Sequence, residues 1–262
     1  VKVIIFTKKS VFKSLAVVFI FLFSVFYAAT GKYELLNVFL NTQRELPIYC
    51  VDTSDKKVAI TFDAAWGDEY TDQILDILEK NGVKATFFLV GGWVDKYPEK
   101  VKNIFDKGHE IGNHSTTHPH FSQLSPYKMK EEIFKTSEKI RRITGKETNL
   151  FRPPFGDYNS LVVKTVKEAG HYCIQWDVDS IDWKDPGEEV IYNRVVSRVT
   201  NGSIVLFHNY AKQTPLVLDR IIKELKKKGF QFVTISELIY KENFYIDHTG
   251  RQKLIENNKA GM

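Results

Sequence analysis

Short runs of β-branched and aromatic residues alternate with amphipathic stretches rich in lysine and glutamate along most of the chain. This is the rhythm of successive β-α units. The strand-like runs fall at 57–62, 85–90, 110–113, 149–152, 172–176, 203–207 and 231–234. Between them the 3.6-residue period predicts helices over 71–81, 98–107, 126–144, 160–169, 188–200 and 215–228, with a last turn at 236–240. Lys227, Lys228 and Gly229 read as a basic last turn followed by a glycine stop.

Seven strands with crossovers of helical length, and no second apolar core left over, give one α/β sheet that is either doubly wound or closed. No Gly-x-Gly-x-x-Gly follows the first strand, which removes the usual reason for a dinucleotide-binding sheet. The expectation is a distorted (β/α)7 barrel over 57–240, preceded by a stem at 31–56 and followed by a frayed polar tail at 241–262.

The pattern differs before residue 30. Ser14 to Ala29 is apolar except for two serines, and Lys2, Lys8, Lys9 and Lys13 precede it without any acid. That length lies between a secretory h-region and a membrane span. Small residues are poorly placed for cleavage, so 1–30 reads as an uncleaved signal-anchor helix with the rest of the chain exported. A cleaved signal is the other reading. The four lysines account for most of the formal charge of +5, leaving about +1 for the remainder, so no nucleic-acid-binding face is expected. The two cysteines, Cys50 and Cys173, sit among apolar residues and read as buried free thiols.

Chemically capable residues gather where the strands end. The first strand delivers a lone acid, Asp63, and the third runs into His114-Ser-Thr-Thr-His118. The fourth ends at Arg152-Pro-Pro-Phe155, the fifth runs into Asp179-Ser-Ile-Asp182-Trp183, and the sixth closes on Leu206-Phe-His208. In barrel enzymes that rim carries the active site. His114 and His118 are suited to a divalent ion, but the zincin motif is absent because Ser115 replaces its glutamate. Asp63 beside a metal-bound water would be a general base, or else a turn acid. Arg152 would orient it or form a structural ion pair. His208 is placed as a general acid or a core histidine, with Asp182 fixing its tautomer and Trp183 walling a pocket. Trp66, Trp93 and Tyr158 stay open between sugar stacking and packing.

These blocks, in this order, resemble the polysaccharide deacetylases of the NodB-homology type, carbohydrate esterase family four. The stretch from Leu46 to Asp68 behind an apolar N-terminus is similar to the PdaB-type sporulation branch. The resemblance covers roughly 46–240. It implies metal-assisted hydrolysis of the N-acetyl group of cell-wall sugars in peptidoglycan, with Asp63 as base, Arg152 as its partner, and His208 as acid tuned by Asp182. It further implies His114 and His118 as ligands of zinc, cobalt or another divalent ion, the backbone N–H of Phe155 as oxyanion donor, and Leu206 with Trp183 lining the acetyl pocket.

One position departs from the family pattern. Its first block carries a second aspartate, the third metal ligand, where this chain has Ala64, and two residues are inserted before Gly67. Asp68, Glu69 or water is the expected substitute. The rival reading is a glycan-binding pseudoenzyme that lost tight metal binding.

Overall fold

The computed structural model describes residues 8–29 and 44–255. The chain divides into an N-terminal unit, Val1–Gln43, and a larger unit, Arg44–Met262. The first contains helix α1 (Lys8–Ala29). Its side chains are described from Leu15 to Tyr27, and nearly all of them are exposed. Among the described residues no helix is long and apolar enough to cross a membrane. Residues 30–43, most of the expected stem, and 256–262, the end of the expected tail, lie outside the described residues.

The larger unit contains all seven expected strands, in part shortened: β2 (Lys57–Ala64), β3 (Thr86–Leu89), β4 (Glu110–Asn113), β5 (Leu150–Phe151), β6 (Tyr172–Cys173), β8 (Ser203–His208) and β9 (Gln231–Phe232). Four more strands were not anticipated: β1 (Cys50–Val51), β7 (Val178–Asp179), β10 (Phe244–Ile246) and β11 (Arg251–Leu254). The helices are α2 (Thr71–Lys80), α3 (Gly91–Lys96), α4 (Pro98–Asp106), α5 (Pro126–Thr144), α6 (Ser160–Glu168), α7 (Glu188–Arg198), α8 (Thr214–Lys227) and α9 (Ile235–Leu238). Only α3 was missed, a single short segment too brief to show a period.

The sheet runs β10-β11-β1-β8-β2-β3-β4-β5-β6, with β7 added on β8 and β9 on β2. From β8 through β6 every pairing is parallel, which makes this a curled α/β half-barrel. The segment before β2 fills the gap between the curl's ends. Ile48 exchanges hydrogen bonds with Cys173 and Gln175 beside β6, while Cys50 pairs with Ser203 of β8. The stem boundary at 56 is therefore corrected: residues from Ile48 onward belong to the sheet. The tail is corrected too, because Phe244 to Leu254 is a hairpin whose second strand pairs with β1. Its polar composition hides this in the sequence, yet Gln252 is fully buried and bonds to both the N–H and the carbonyl of Tyr240.

Period-two alternation splits β2 between two cores. Val58, Ile60, Phe62 and Ala64 face the helices, where Ile74, Leu75 and Leu78 of α2 and Val217, Leu218, Ile221 and Ile222 of α8 cover them. Ala59 faces inward with Phe88, Leu150, Ile174 and Ile204, and Ile235 and Leu238 of α9 plug that end. Above this floor the inward positions of β2 become Thr61 and Asp63. The helices hold their registers by ordinary devices. Ser125 caps α5 through the Lys128 N–H, with Pro126 at its first position and Gly145 in the left-handed conformation at its end. Both cysteines are buried free thiols, as their apolar flanks predict.

Candidate active site

Parallel pairing brings Asp63 of β2 and His208 of β8 into register as neighbours at the carboxyl ends of their strands. Each is held by a buried partner from elsewhere. Arg152, wholly buried just after β5, donates from Nη1 to Asp63 Oδ1 at 2.7 Å and to Thr61 Oγ1 at 2.9 Å, and from Nη2 to the Gln175 carbonyl at 3.1 Å. Its guanidinium carbon lies 4.1 Å from the Phe88 ring centroid. Burial by itself would push the Asp63 carboxyl up. The Arg152 guanidinium, with His114 and His208, outweighs it and holds the group below the usual carboxylate range. Asp63 is thus an ionised, oriented carboxylate.

Asp182 is fully buried, and both of its oxygens are used. Oδ1 lies 2.8 Å from His208 Nδ1, and Oδ2 accepts from the His208 backbone N–H at 2.8 Å and from Thr214 Oγ1 at 2.6 Å. The carboxylate fixes the proton on Nδ1 and leaves Nε2 for the cleft. Burial lowers the imidazole pKa, but the hydrogen bond and charge of Asp182 overcome that, and the net shift is upward. Leu206 lies two residues back on the same face of β8 and is buried, in register with Thr61.

The histidine loop follows β4. His114 is buried, with Nδ1 2.7 Å from the Arg152 carbonyl and Nε2 3.5 Å from Asp63 Oδ2. His118 reaches its place through two left-handed residues, Ser115 at φ 69° and itself at φ 58°. Their ring centroids stand 4.9 Å apart. Both imidazoles are pushed toward the neutral form by burial, His118 to about 4. Phe155, at φ 60° in the turn Pro154–Gly156, is largely exposed and lays its ring edge on His118, with centroids 4.4 Å apart. Trp183 stands beside Asp182, half exposed.

For a metal ion the donor chemistry is incomplete. His114 has its Nδ1 engaged by a carbonyl, which frees Nε2 toward Asp63, and His118 Nδ1 is buried without a hydrogen-bond partner. Both features suit an ion held by imidazoles. Among the described residues no third ligand joins them. Ala64 is fully buried on the helix-facing side of β2. Asp68 corrects the expectation of a substitute, because its carboxylate is turned to Lys100 at 3.7 Å. Glu69 folds back over Gly67. Among the described residues no group of three or more His, Cys, Asp or Glu is arranged to hold a metal ion. The residues present do not complete a three-ligand site of the usual catalytic kind.

Two residues that shape this loop carried no signal in the sequence. Glu132, on α5, accepts from the backbone N–H groups of Thr116 and Thr117 at 2.8 Å each. Asn113 accepts from the Ser115 N–H at 2.8 Å while donating to Ile133 O and Ser137 Oγ. They lie outside every block, and only the packing of α5 on the loop brings Glu132 there.

The profile of the family described as Polysaccharide deacetylase matches residues 51–174. The peptidoglycan-N-acetylglucosamine deacetylase of Bacillus cereus is 43% identical over 194 residues, covering 72% of this chain and 91% of that protein. The chain belongs to the polysaccharide deacetylase family. The uncharacterized protein YlxY of Bacillus subtilis is 37% identical over 203 residues, 78% of this chain, and the chain spans 63% of its length. Among solved structures, BA3943 of Bacillus anthracis, described as a CE4 family pseudoenzyme, is 40% identical with a TM-score of 0.71, covering 73% of this chain and 68% of that one. A mutant of BA3943 is described as having restored enzymatic activity.

Proposed function

We propose that this chain is an exported N-deacetylase that hydrolyses the acetamide of N-acetylated sugars in peptidoglycan. The observation that carries the reading is the Asp63–His208 pair, two groups on adjacent strands whose environments push one toward the anion and the other toward the cation. Such opposed tuning is what a base and an acid need.

Asp63, oriented by Arg152, takes a proton from water as the water oxygen adds to the acetyl carbon. The backbone N–H of Phe155 is assigned to the developing oxyanion. The His208 imidazolium then gives its proton to the amine as the carbon–nitrogen bond breaks, leaving acetate and a free amino sugar. Trp183 and Leu206 wall the acetyl group. His114 and His118 would hold a divalent ion, zinc foremost and cobalt an alternative, whose chemistry is to polarise the carbonyl and acidify water.

The apolar run ahead of residue 30 supports a membrane-anchored, exported protein, and the resemblance of 46–68 to the sporulation branch supports a role in the spore wall. The second reading, a glycan-binding pseudoenzyme, is favoured by Ala64 and by the Asp68–Lys100 pair. Acetate release from N-acetylglucosamine oligomers and from isolated peptidoglycan, with and without Zn²⁺ or Co²⁺, separates the two readings.

A further inference from the structure

Gln175 is a polar side chain inside an apolar run, Tyr172-Cys-Ile-Gln-Trp176, and it lies outside every block of the rim. It is 2% exposed, so its amide must find partners within the protein. Nε2 donates to the Gly156 carbonyl at 3.1 Å. The Gln175 carbonyl accepts from Arg152 Nη2 at 3.1 Å, and its N–H donates to the Ile48 carbonyl at 2.7 Å. One residue thus touches both the guanidinium that orients Asp63 and the turn that contains Phe155.

That turn needs holding. Phe155 at φ 60° and Gly156 at φ 66° are consecutive left-handed residues, a conformation that glycine adopts freely and phenylalanine does not. The Phe155 ring is largely exposed, so burial does little to fix it. Two hydrogen bonds close the turn on itself, from the Gly156 N–H to the Pro153 carbonyl at 3.1 Å and from the Asp157 N–H to the Pro154 carbonyl at 2.9 Å. They set its shape but not its place relative to β2.

Anchors on two sides set the place. On one, Asp157 Oδ2 accepts from the Ser122 N–H at 2.9 Å and from Ser122 Oγ at 2.7 Å. On the other stands Gln175, with Trp176 packed so close that a Cβ on Gly156 would lie 2.9 Å from its Cη2. The segment that fills the gap in the sheet backs this second anchor. Ile48 accepts from the Gln175 N–H, and Tyr49 Oη donates to Tyr158 Oη at 3.0 Å just beyond the turn. A strained residue held from several directions is what a preorganised donor requires.

We propose that Gln175 is a positioning residue, whose side chain fixes the Phe155 turn against the Arg152–Asp63 pair so that the Phe155 N–H stands in place before the oxyanion forms. The catalytic use of that N–H rests on the proposed function. Because an oxyanion exists only beyond the ground state, loss of the anchor acts on kcat rather than on KM.

Gln175→Met removes the donor at nearly constant volume, and two measurements on the full chain test it. Amide hydrogen exchange at Gly156 and Asp157, read by mass spectrometry, should quicken by roughly fivefold or more, while Phe62 and Phe207 within β2 and β8 keep their rates. Acetate release from chitotetraose with Zn²⁺ or Co²⁺ present should lose kcat by roughly tenfold to a hundredfold, with KM within about twofold. Gln175→Glu, matched in shape but without the donor once ionised, is read in the same two ways if Gln175→Met does not fold. Unchanged exchange at Gly156 and Asp157, faster exchange with kcat untouched, or a loss expressed in KM alone would overturn the assignment. If the unaltered chain releases no acetate the deacetylase falls, and the exchange rates alone decide whether Gln175 holds the turn.

Discussion

Asp63 and His208 are cross-strand neighbours at the ends of two adjacent parallel strands, and each favours the charged form of the other while a separate buried partner holds it. Arg152 favours the anionic form of the first, and Asp182 favours the cationic form of the second. β2 and β8 form the longest pairing in the sheet, and that register fixes where the two strand ends stand.

Asp63→Asn removes the base and should lower kcat for acetate release by roughly 10²–10⁴-fold. It also leaves the fully buried Arg152 without its counter-charge, a loss on the order of 3–5 kcal/mol for a buried pair. Urea denaturation beside steady-state kinetics reads both effects. Full activity in the variant would show that another group takes the proton.

Asp182→Asn should move the alkaline limb of the pH–rate profile to lower pH. The folded-state pKa of His208 is raised, so its acid form is present below that pKa and is lost as pH rises through it. Removing the carboxylate's charge lowers the pKa and brings the loss to lower pH. A profile with an unmoved alkaline limb would remove His208 as the acid.

Much of this rim was legible because each strand ends at a polar residue after an apolar run. Asp63, Arg152, Asp182 and His208 meet as their blocks imply. The absence of a third ligand was visible in Ala64, but the fate of Asp68 was not, since its pairing with Lys100 depends on how α2 and α4 lie together. The β1 segment and the hairpin of β10 and β11 were missed for another reason. Strands of two to four residues are too short for a two-residue period to stand out, and β1, although buried between β11 and β8, consists of Cys50 and Val51 alone. Glu132 was invisible because a glutamate on the polar face of an amphipathic helix looks like any solvated charge.

Glu132→Ala should release the Thr116 and Thr117 amides and lower activity by roughly 10–100-fold, the usual scale for a group that orients ligand side chains. Glu132→Gln retains an oxygen for the two N–H groups and should recover most of the loss. Equal damage in both variants would show that the negative charge, rather than the hydrogen bonds, is what matters.

His109 gives a prediction independent of the active site. It is buried behind β3, with Nδ1 accepting from the Ala85 N–H at 3.2 Å. Burial, then the charges of Lys84 and Lys107, push it down from 6.5 to about 4. Between those values the unfolded chain binds the extra proton, so stability rises with pH across the window and falls as pH drops from 6.5 toward 4. The slope from this group is at most about 1.4 kcal/mol per pH unit. Urea midpoints measured across the window should show less of this slope in His109→Asn.

Two imidazoles without a third protein ligand should hold a divalent ion weakly. Protein dialysed against metal-free buffer should retain well under one equivalent of zinc by elemental analysis. A full equivalent surviving dialysis would mean that a further protein ligand closes the site.

The account rests most directly on acetate release from chitotetraose by the full chain as Zn²⁺ or Co²⁺ is titrated in, with Asp63→Asn run alongside. The expected result is acetate that increases with added metal and is nearly abolished in the variant. No acetate at any metal concentration, from a chain that still binds the oligosaccharide, would contradict the deacetylase and leave a glycan-binding pseudoenzyme.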